Sequence, residues 1–345
     1  MPSQEQPKQA AEAPPPTALL QMVTGYWVSQ AISVAAKLGI ADLLKNGSRR
    51  FEELAEATGT HGPSLYRLLR ALASVGVFSE VGDGRFEPTP LAEYLRSDIP
   101  GSLRSLAIGW CEKWAWEPWG KLLYSVKTGQ ASFNHVFGMG LFEYLTRHSE
   151  AASLYNEALT GYTAQIAPAV VAAYDFSQFG TIVDVGGGEG ILLAAILKAQ
   201  PTLNGVHFDL PHVAESAGQY LKAAGLSARC KVVSGDFFEG VPKGDDAYIL
   251  SNILHEFDDT LSTTILKNIH RVMSKKGKVL IVEPVIPIGN APHPGKWRDL
   301  HMLVRLGGLE RTESQFRTLL GQAGFELATV ISTDSPTCLI EGVRT

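Results

Sequence analysis

Residues 181–190, Thr-Ile-Val-Asp-Val-Gly-Gly-Gly-Glu-Gly, decide the fold that this sequence predicts. Residues 181–185 form a short run rich in β-branched side chains, which is typical of a buried strand. The glycines follow directly, and residues 191–198 then show a helical pattern that ends before Pro201. A strand, a tight glycine turn and a helix open a nucleotide-binding α/β unit, where glycines let a ligand approach the backbone closely.

The glycine pattern distinguishes between two cofactors. A dinucleotide fingerprint requires a further glycine where Ile191 stands, and an acid at the position of Asp184 is unusual for it. An acidic residue before Gly-x-Gly-x-Gly suits a cofactor that has a positive charge and no pyrophosphate, which describes S-adenosylmethionine (SAM). Gly186 and Gly188 are therefore candidate cofactor contacts. The alternative is a glycine-rich strand end that binds no ligand.

The composition limits the possible partners and compartment. A chain of 345 residues is long enough for two domains, and its net charge of −5 argues against a nucleic-acid or anionic-membrane partner. Cys111, Cys230 and Cys338 lack metal-ligand spacing, so we expect reduced thiols, no bound metal and a cytoplasmic protein. No signal peptide is predicted. No transmembrane helix is predicted either, because no apolar run reaches about 18 residues.

The first hundred residues predict a tail and a helical domain. Residues 1–16, with three consecutive prolines, are predicted to be a disordered tail. Residues 17–100 carry an apolar stripe from Leu20 to Leu38, two helical patterns at 51–58 and 64–75, and a hairpin, which together predict a winged-helix domain. The second helix offers Arg67 and Arg70 for DNA binding. Nearby acids and the negative net charge instead favour a packing or dimer-forming module.

Residues 101–175 are predicted to form a helical region that is unusually aromatic. It holds four of the six tryptophans, among them Trp110, and further rings such as Phe142. One interpretation is that these rings fill a core or a dimer interface. The other is a lid whose rings enclose a flat substrate, for which Trp110 and Phe142 are the candidate contacts.

From residue 176 to the C-terminus, strands and helical patterns alternate. This alternation predicts an α/β domain with a mostly parallel, doubly wound sheet. The last two strands are close together and predict a hairpin that adds one antiparallel strand. The candidate strands are residues 181–185, 205–208, 231–233, 247–251, 278–282, 327–331 and 338–342.

Three acids follow successive strands of this predicted sheet. Asp184 ends the first strand, Asp209 ends the second and is placed to accept both hydroxyls of a ribose, and Asp236 follows the third. Asp236 follows Gly235 and could accept from an adenine amine, with Phe237 against the ring. Each acid could instead be a helix N-cap, Asp209 in particular. Capping is a poor explanation for all three acids together with a glycine loop.

These motifs resemble one family of enzymes. The segments Asp-Val-Gly-Gly-Gly-Glu-Gly (184–190), Phe-Asp-Leu-Pro-His-Val (208–213), Gly-Asp-Phe-Phe (235–238) and Leu-His-Glu-Phe-Asp-Asp (254–259) are similar to those of SAM-dependent O-methyltransferases of the caffeic acid, hydroxyindole and bacterial polyketide-tailoring kind. The resemblance implies a winged-helix dimerisation domain, a homodimer and a Rossmann-like catalytic domain. It implies SAM contacts at Gly186, Asp209, Asp236 and Phe237, and also at Tyr162, Ser251 and Asn252. Plant members usually have a basic residue where this chain has Ser251.

A histidine and two glutamates form the candidate catalytic set. His255 follows the fourth strand, Glu283 ends the fifth, and Glu310 precedes Thr312, which is predicted to cap the next helix. In the family the matching positions are a general base and its two carboxylate partners. The alternatives are a solvent-exposed histidine at a helix start and an acid in the first turn of a helix. Phe257 replaces a tryptophan that is common in the family.

The predicted function is transfer of the SAM methyl group to a hydroxyl of a small aromatic molecule, with positioning as the main contribution and His255 assisting as base. By resemblance, residues 297–305 line the acceptor pocket, with Asp299, His301 and Met302 as candidate contacts. Alternatively, His301 caps a helix or faces solvent. Two competing hypotheses are a non-catalytic SAM-binding or winged-helix regulator, and an enzyme of the same fold with another acceptor atom.

Overall fold

The computed structural model describes residues 14–244 and 246–345, and the chain divides into two compact units between Asp98 and Ile99. Residues 1–13 of the predicted tail lie outside the described residues. Pro15 and Pro16, the last two residues of that tail, are helical, which corrects the prediction at its end. Proline suits the first turn of a helix because its missing N–H would have no partner there.

The first unit packs helices against a small sheet. The helices are α1 (Pro15–Val23), α2 (Tyr26–Lys37), α3 (Ile40–Leu44), α4 (Phe51–Thr58), α5 (Gly62–Ala73) and α6 (Pro90–Glu93); the strands are β1 (Arg49–Arg50), β2 (Phe78–Glu80) and β3 (Arg85–Pro88). The strand order is β1-β3-β2, and both pairings are antiparallel. Helices α4 and α5, followed by the β2–β3 hairpin, form the predicted winged-helix arrangement.

The predicted apolar stripe of residues 20–38 is not one continuous helix. Thr24 and Gly25 separate α1 from α2, because glycine is a poor helix former and the Thr24 hydroxyl donates back to the Leu20 carbonyl at 2.8 Å. Leu20 and Trp27 are 63% and 61% exposed, respectively, whereas Ala35 and Ala36 are buried. The N-terminal part of the stripe therefore presents an apolar face on the surface of this unit.

The second unit begins with helices and continues with alternating strands and helices. Its helices are α7 (Arg104–Gly109), α8 (Lys113–Trp119), α9 (Leu122–Thr128), α10 (Ser132–Phe137), α11 (Leu141–Arg147), α12 (Ser149–Ala173), α13 (Ile191–Ala199), α14 (Pro211–Ala223), α15 (Asp259–Val272), α16 (Pro294–Arg305) and α17 (Glu313–Gln322). Its strands are β4 (Thr181–Val185), β5 (Asn204–Asp209), β6 (Cys230–Ser234), β7 (Ala247–Ser251), β8 (Lys278–Glu283), β9 (Phe325–Ser332) and β10 (Cys338–Arg344). No helix in the described ranges has both the length and the apolar character needed to cross a membrane.

Within the described residues the larger sheet has seven strands, in the order β6-β5-β4-β7-β8-β10-β9. Strands β4 to β8 pair in parallel, while β10 pairs antiparallel with both β8 and β9. Each predicted strand is confirmed with its ends within two residues, and the hairpin adds the predicted antiparallel strand. The strand order reverses beside β4, which is where ligands bind in sheets of this kind.

The middle strands of the sheet, β4, β7 and β8, are buried on both faces because their alternate residues enter different cores. Ile182 of β4 packs with residues of α12 and α13, while Val183 and Val185 pack with residues of α15 and α17. This explains why the strands read as continuous apolar runs rather than as alternating patterns. It also leaves the ends of the strands as the place where polar side chains can gather.

Candidate functional site

The loop after β4 has the conformation that its glycines predict. Gly186, Gly188 and Gly190 have φ angles of +70°, +54° and +77°, in the left-handed region that favours glycine. A Cβ atom on Gly186 would stand 2.5 Å from Ile253 Cδ1, whereas nothing lies within 4 Å of a Cβ on Gly188. Gly186 is therefore required by packing, and Gly188 borders open space that a ligand can approach.

Asp209 is held at the end of β5 by two backbone N–H groups. Its Oδ2 accepts a hydrogen bond from Gly188 N at 2.9 Å, and its Oδ1 accepts from Leu210 N at 2.7 Å. The N-cap of α14 is Leu210, so the capping alternative for Asp209 is excluded. Burial raises the pKa of Asp209, and the two hydrogen bonds oppose that rise. The carboxylate thus lies against the glycine loop.

Asp184 lies beneath the same loop without a partner. Its side chain is 1% exposed, and neither carboxylate oxygen has a hydrogen-bond partner among the described residues. Burial, followed by the charge of Asp209, raises the pKa of Asp184 to about 7. A buried carboxylate without a partner is unfavourable, so such a group requires an explanation. An acid under an accessible glycine loop fits a cofactor that carries a positive charge, and these residues together fit SAM.

The segment after β6 places an aromatic ring beside the glycine loop. Asp236 Oδ1 accepts from Phe238 N at 2.8 Å, which stabilises the local turn. The ring of Phe237 lies 3.5 Å from where a Cβ of Gly186 would stand and packs edge-to-face with Phe257 at 5.9 Å. A Cβ on Gly235 would stand 2.6 Å from Phe208, so this position also requires glycine.

His255 is buried and hydrogen-bonded to a carboxylate. It lies in a short 3-10 helix after β7, is 4% exposed, and its Nδ1 stands 2.8 Å from Glu310 Oε1. The alternative of a solvent-exposed histidine is therefore excluded. Burial, and next the positive charge of Arg298, lower the pKa of His255 to about 3, so the ring is neutral near pH 7. Its Nδ1 also stands 3.3 Å from Arg298 Nη2.

The two glutamates of the candidate set play different structural roles. Glu283 Oε1 accepts from the backbone N–H of His255 at 3.0 Å, so this carboxylate contacts the main chain and not the ring. Glu310 contacts the ring, and burial raises its pKa to about 7. Helix α17 begins after Thr312, whose predicted role as cap is confirmed, and Gln315 completes a capping box with it. Glu310 therefore lies outside the first turn, and that alternative is also excluded.

Two of the three weaker cofactor candidates, Tyr162 and Asn252, meet at an arginine that the sequence reasoning missed, and Ser251 contacts Asn252. Ser251 Oγ accepts from Asn252 Nδ2 at 3.3 Å, and Asn252 is in the left-handed region at φ 56°. Arg298 donates to Asn252 Oδ1 at 2.5 Å and to the Tyr162 hydroxyl at 2.7 Å. Residues far apart in sequence are thus connected through one guanidinium group.

The predicted acceptor contacts on α16 are engaged by other protein groups. His301 is stacked between Trp110 and Trp119, at centroid distances of 5.7 and 6.0 Å, and Trp119 Nε1 donates to His301 Nδ1 at 3.0 Å. His301 is half-buried and caps no helix, so it fits neither of the alternatives considered for it. Asp299 Oδ1 accepts from the Glu310 N–H at 2.9 Å, which fixes the segment that carries Glu310.

The aromatic region is largely a packed cluster. Trp114, Phe133 and Tyr155 are buried in one core, and Trp110 packs against it. Phe142 is 47% exposed, and it forms none of the ring–ring contacts found among the described residues. Met302 is buried. The structure brings Trp110 and His301 together but leaves Phe142 on the surface.

Arg298 and Arg305 are the residues of this site that sequence reasoning missed. Arg305 is 3% exposed, and its guanidinium lies 5.0–5.5 Å from the ring centroids of Trp110, Trp114 and Tyr155. The available signal was two arginines seven residues apart, which share one face of a helix. Two basic residues on one face of a helix, with Asp299 close by, indicate that this face is charged and is turned toward the protein interior. A buried cation requires a partner of opposite charge, and Asp299 is one candidate.

Comparison with known proteins connects this geometry to a family. Residues 119–326 match an O-methyltransferase domain, and residues 20–98 match an O-methyltransferase dimerisation domain. A phenazine O-methyltransferase of Lysobacter antibioticus is 50% identical over 332 residues, which are 96% of this chain and 97% of that protein. A phenazine-1-carboxylate N-methyltransferase of Pseudomonas aeruginosa is 32% identical over 94% of this chain and 96% of its own.

A solved structure supports the assignment of the cofactor. It is an O-methyltransferase from neocarzinostatin biosynthesis in complex with SAM and 2-hydroxy-5-methyl naphthoic acid. It is 32% identical, has a TM-score of 0.78, and the match covers 97% of this chain and 100% of that one.

Proposed function

The chain belongs to the family of O-methyltransferases with an N-terminal dimerisation domain, and on that premise we propose that it methylates a hydroxyl group of a flat, polycyclic aromatic natural product of the phenazine kind. It is a SAM-dependent methyltransferase, like the relatives that it matches over nearly their whole length. The observation that carries the choice of a hydroxyl acceptor is the hydrogen bond between His255 Nδ1 and Glu310 Oε1 at 2.8 Å.

A hydroxyl oxygen must lose its proton when it gains a methyl group, whereas an aromatic ring nitrogen without hydrogen has no proton to lose. In the tautomer that carries its proton on Nδ1, beside Glu310, the lone pair of His255 Nε2 would accept that proton. The carboxylate of Glu310 fixes the tautomer and stabilises the imidazolium that forms. The pair therefore favours oxygen over ring nitrogen as the acceptor atom.

The cofactor would lie at the carboxyl ends of β4, β5, β6 and β7. SAM supplies a methyl group bound to a positively charged sulfur, so the protein chiefly has to bind and orient it. We assign the glycines to close backbone approach, Asp209 to the ribose hydroxyls, and Asp236 with Phe237 to the adenine. The residues in this assignment are Gly186, Gly188, Asp209, Gly235, Asp236 and Phe237, with Tyr162, Ser251 and Asn252 at its border.

Orientation contributes most to the rate in this proposal. Holding the acceptor oxygen in line with the methyl group can lower the barrier by roughly 7–11 kcal/mol, while a general base adds a factor of about 10²–10⁴. On the acceptor side we assign Trp110, stacked on His301, and the buried Met302 to the wall of the pocket. Asp299 acts on that wall indirectly, through the Glu310 N–H. The exposed Phe142 remains a prediction.

The test is methyl transfer from radiolabelled SAM to a panel of aromatic acceptors. The matched pair is a hydroxylated phenazine and the same phenazine without the hydroxyl group, with simple phenols as a size series. We expect label to enter only the hydroxylated members. Label in the compound without a hydroxyl would support the N-methyltransferase alternative. Binding of SAM without methyl transfer to any acceptor would support the alternative that the protein is a non-catalytic regulator.

We also propose that the protein acts as a homodimer through the dimerisation domain. The outer face of α1 and α2 carries Leu19, Leu20, Met22, Val23, Tyr26 and Trp27, all more than half exposed in the single chain. A contiguous apolar face of this kind marks a protein–protein interface.

A further inference from the structure

The side chain of Arg298 connects four residues that come from separate parts of the catalytic unit. Its Nη1 donates to the Tyr162 hydroxyl on α12 at 2.7 Å, and its Nη2 donates to Asn252 Oδ1, after β7, at 2.5 Å. Its Nε stands 2.9 Å from Glu310 Oε1, and its Nη2 stands 3.3 Å from His255 Nδ1. The guanidinium also lies 5.2 Å from the centroid of the Tyr162 ring.

This arrangement holds the guanidinium in one place. An arginine fork is planar and rigid, so contacts on both of its ends determine where its charge lies. Tyr162 and Asn252 anchor the outer nitrogens, while Nε is directed at Glu310, whose side chain is fully buried. The same Glu310 oxygen stands 2.8 Å from His255 Nδ1. Arg298 therefore contacts the base and its carboxylate partner together.

We propose that Arg298 is a positioning residue for methyl transfer, which orients the Glu310 carboxylate on His255 Nδ1 and keeps a fixed positive charge beside the imidazole ring. This inference rests on the proposed role of His255 as base. Arg298 takes no proton in this role and acts only through the pair. It deepens the proposed function because one fixed cation would keep the buried base neutral and oppose the rise in the pKa of the buried carboxyl group beside it.

The charges around His255 support this reading. The titratable and charged groups that act on it are Glu283 from β8, Arg298 and His301 from α16, and Glu310 and Arg311 from the segment between α16 and α17. Arg311 is paired with Asp259 at 2.8 Å, so its charge is partly compensated. A nearby cation disfavours imidazolium and favours carboxylate. Arg298 accordingly lowers the pKa of His255 and also opposes the rise in the pKa of Glu310.

The first test is independent of activity. The Cε1 proton and carbon of His255 are followed by NMR against pH in the ligand-free protein and assigned by their loss in His255→Gln. The titration covers pH 3 to 8, and in the wild type we expect the His255 signal to shift only at the acidic end, near pH 3. In Arg298→Met the pKa of His255 should rise by about one unit or more. Arg298→Lys, which retains the charge, should shift it less, and Arg317→Met, which removes an exposed arginine paired with Glu313, should leave it unchanged.

The second test uses the pH profile of kcat in the same variants, with SAM affinity measured by calorimetry. Removing the cation raises the pKa values of both partners, so the acidic limb of the profile should move to higher pH in Arg298→Met. A purely structural role would lower the rate equally at all pH values. The proposal would be overturned if Arg298→Met left unchanged both the pKa of His255 measured by NMR and the position of the acidic limb of the kcat profile. Arg298→Gln serves as the second neutral variant if Arg298→Met does not fold.

Failure of the proposed function gives a different result. A wild-type protein that transfers no methyl group to any acceptor contradicts the proposed reaction, whereas the NMR titration still decides whether Arg298 controls the His255–Glu310 pair.

Discussion

At the scale of single residues, the site is a set of ionisable groups whose pKa values are displaced by burial. Asp184 and Glu310 have pKa values raised to about 7, whereas that of His255 is lowered to about 3. Near neutral pH the histidine is therefore an unprotonated acceptor, as a general base requires. These displacements lower the stability of the free protein at pH values where a buried group has to be charged.

Asp184→Asn should change how stability depends on pH. The folded-state pKa of Asp184 lies above its ordinary value of 3.8, so its contribution to stability is complete below about pH 4 and is lost as the pH rises through about 7. The asparagine variant has no such loss. The free energy of unfolding of the asparagine variant, relative to that of wild type, should therefore increase from pH 4 to pH 8 by up to about 4 kcal/mol. Its melting temperature should rise relative to wild type over the same pH range.

The measurement is thermal unfolding of both ligand-free proteins at each pH. Asp236→Asn is the control, because that carboxylate is half-buried and bonded to Phe238 N. A difference between wild type and Asp184→Asn that does not change with pH would contradict the assignment of a buried, unpaired carboxyl group.

Sequence alone predicted some of these residues and not others, for a physical reason. His255, Glu283 and Glu310 stand at strand ends or beside a capping signal, so local pattern and family resemblance located them. The contact of Glu283 with a main-chain N–H, and the role of Arg298, depend on side chains that meet across 28 to 136 residues of sequence. No local pattern encodes such a meeting.

At the scale of elements, the segment between α16 and α17 brings Glu310 to His255. Gly308 in this segment packs directly on the 3-10 helix that carries His255, since a Cβ there would stand 2.1 Å from His255 O and 2.5 Å from Glu256 C. The backbone of one element thus sets the position of His255, which another element carries. Glycine is required here by close approach and not by an unusual φ angle.

Gly308→Ala should therefore displace His255 from Glu310 and lower both stability and turnover. We expect the free energy of unfolding to fall by roughly 1–3 kcal/mol, which is typical of overpacking. We also expect kcat to fall while the affinity for SAM stays unchanged. Gly321→Ala is the matched control, because α17 is helical there and nothing lies within 4 Å of its Cβ. It should stabilise the protein by up to about 1 kcal/mol. Wild-type turnover in Gly308→Ala would show that the packing at Gly308 does not position the base.

The middle strands β4, β7 and β8 were predictable because both of their faces are buried, which makes each of them a short apolar run bounded by turn residues. The break between α1 and α2 could not be predicted from the sequence, because a glycine within a helical pattern ends some helices and is tolerated in others. The exposed stripe on α1 and α2 likewise follows helical periodicity, although it is not covered within its own unit.

At the scale of the whole molecule, the apolar face of α1 and α2 is where the dimerisation domain would meet a second copy. Trp27→Asp places a charge in the middle of this face, and a buried unpaired charge opposes association strongly. We expect the dissociation constant of the dimer to rise at least about a hundredfold, seen by light scattering as a shift from dimer to monomer mass at micromolar concentration.

Val81→Asp is the control for that substitution, because Val81 is 49% exposed in the hairpin of the same unit but lies outside the α1–α2 face. A Trp27→Asp protein that remains dimeric would place the interface elsewhere.

The most direct test of the whole account is a single-turnover reaction with SAM labelled with ¹³C in the methyl group and a hydroxylated phenazine, in wild type and His255→Gln. His61→Gln serves as control, since His61 is exposed in the first unit. We predict an O-methyl product and a rate in His255→Gln that is lower by about 10²–10⁴-fold, with SAM affinity retained. A label on ring nitrogen, or equal rates in the two proteins, would contradict the account.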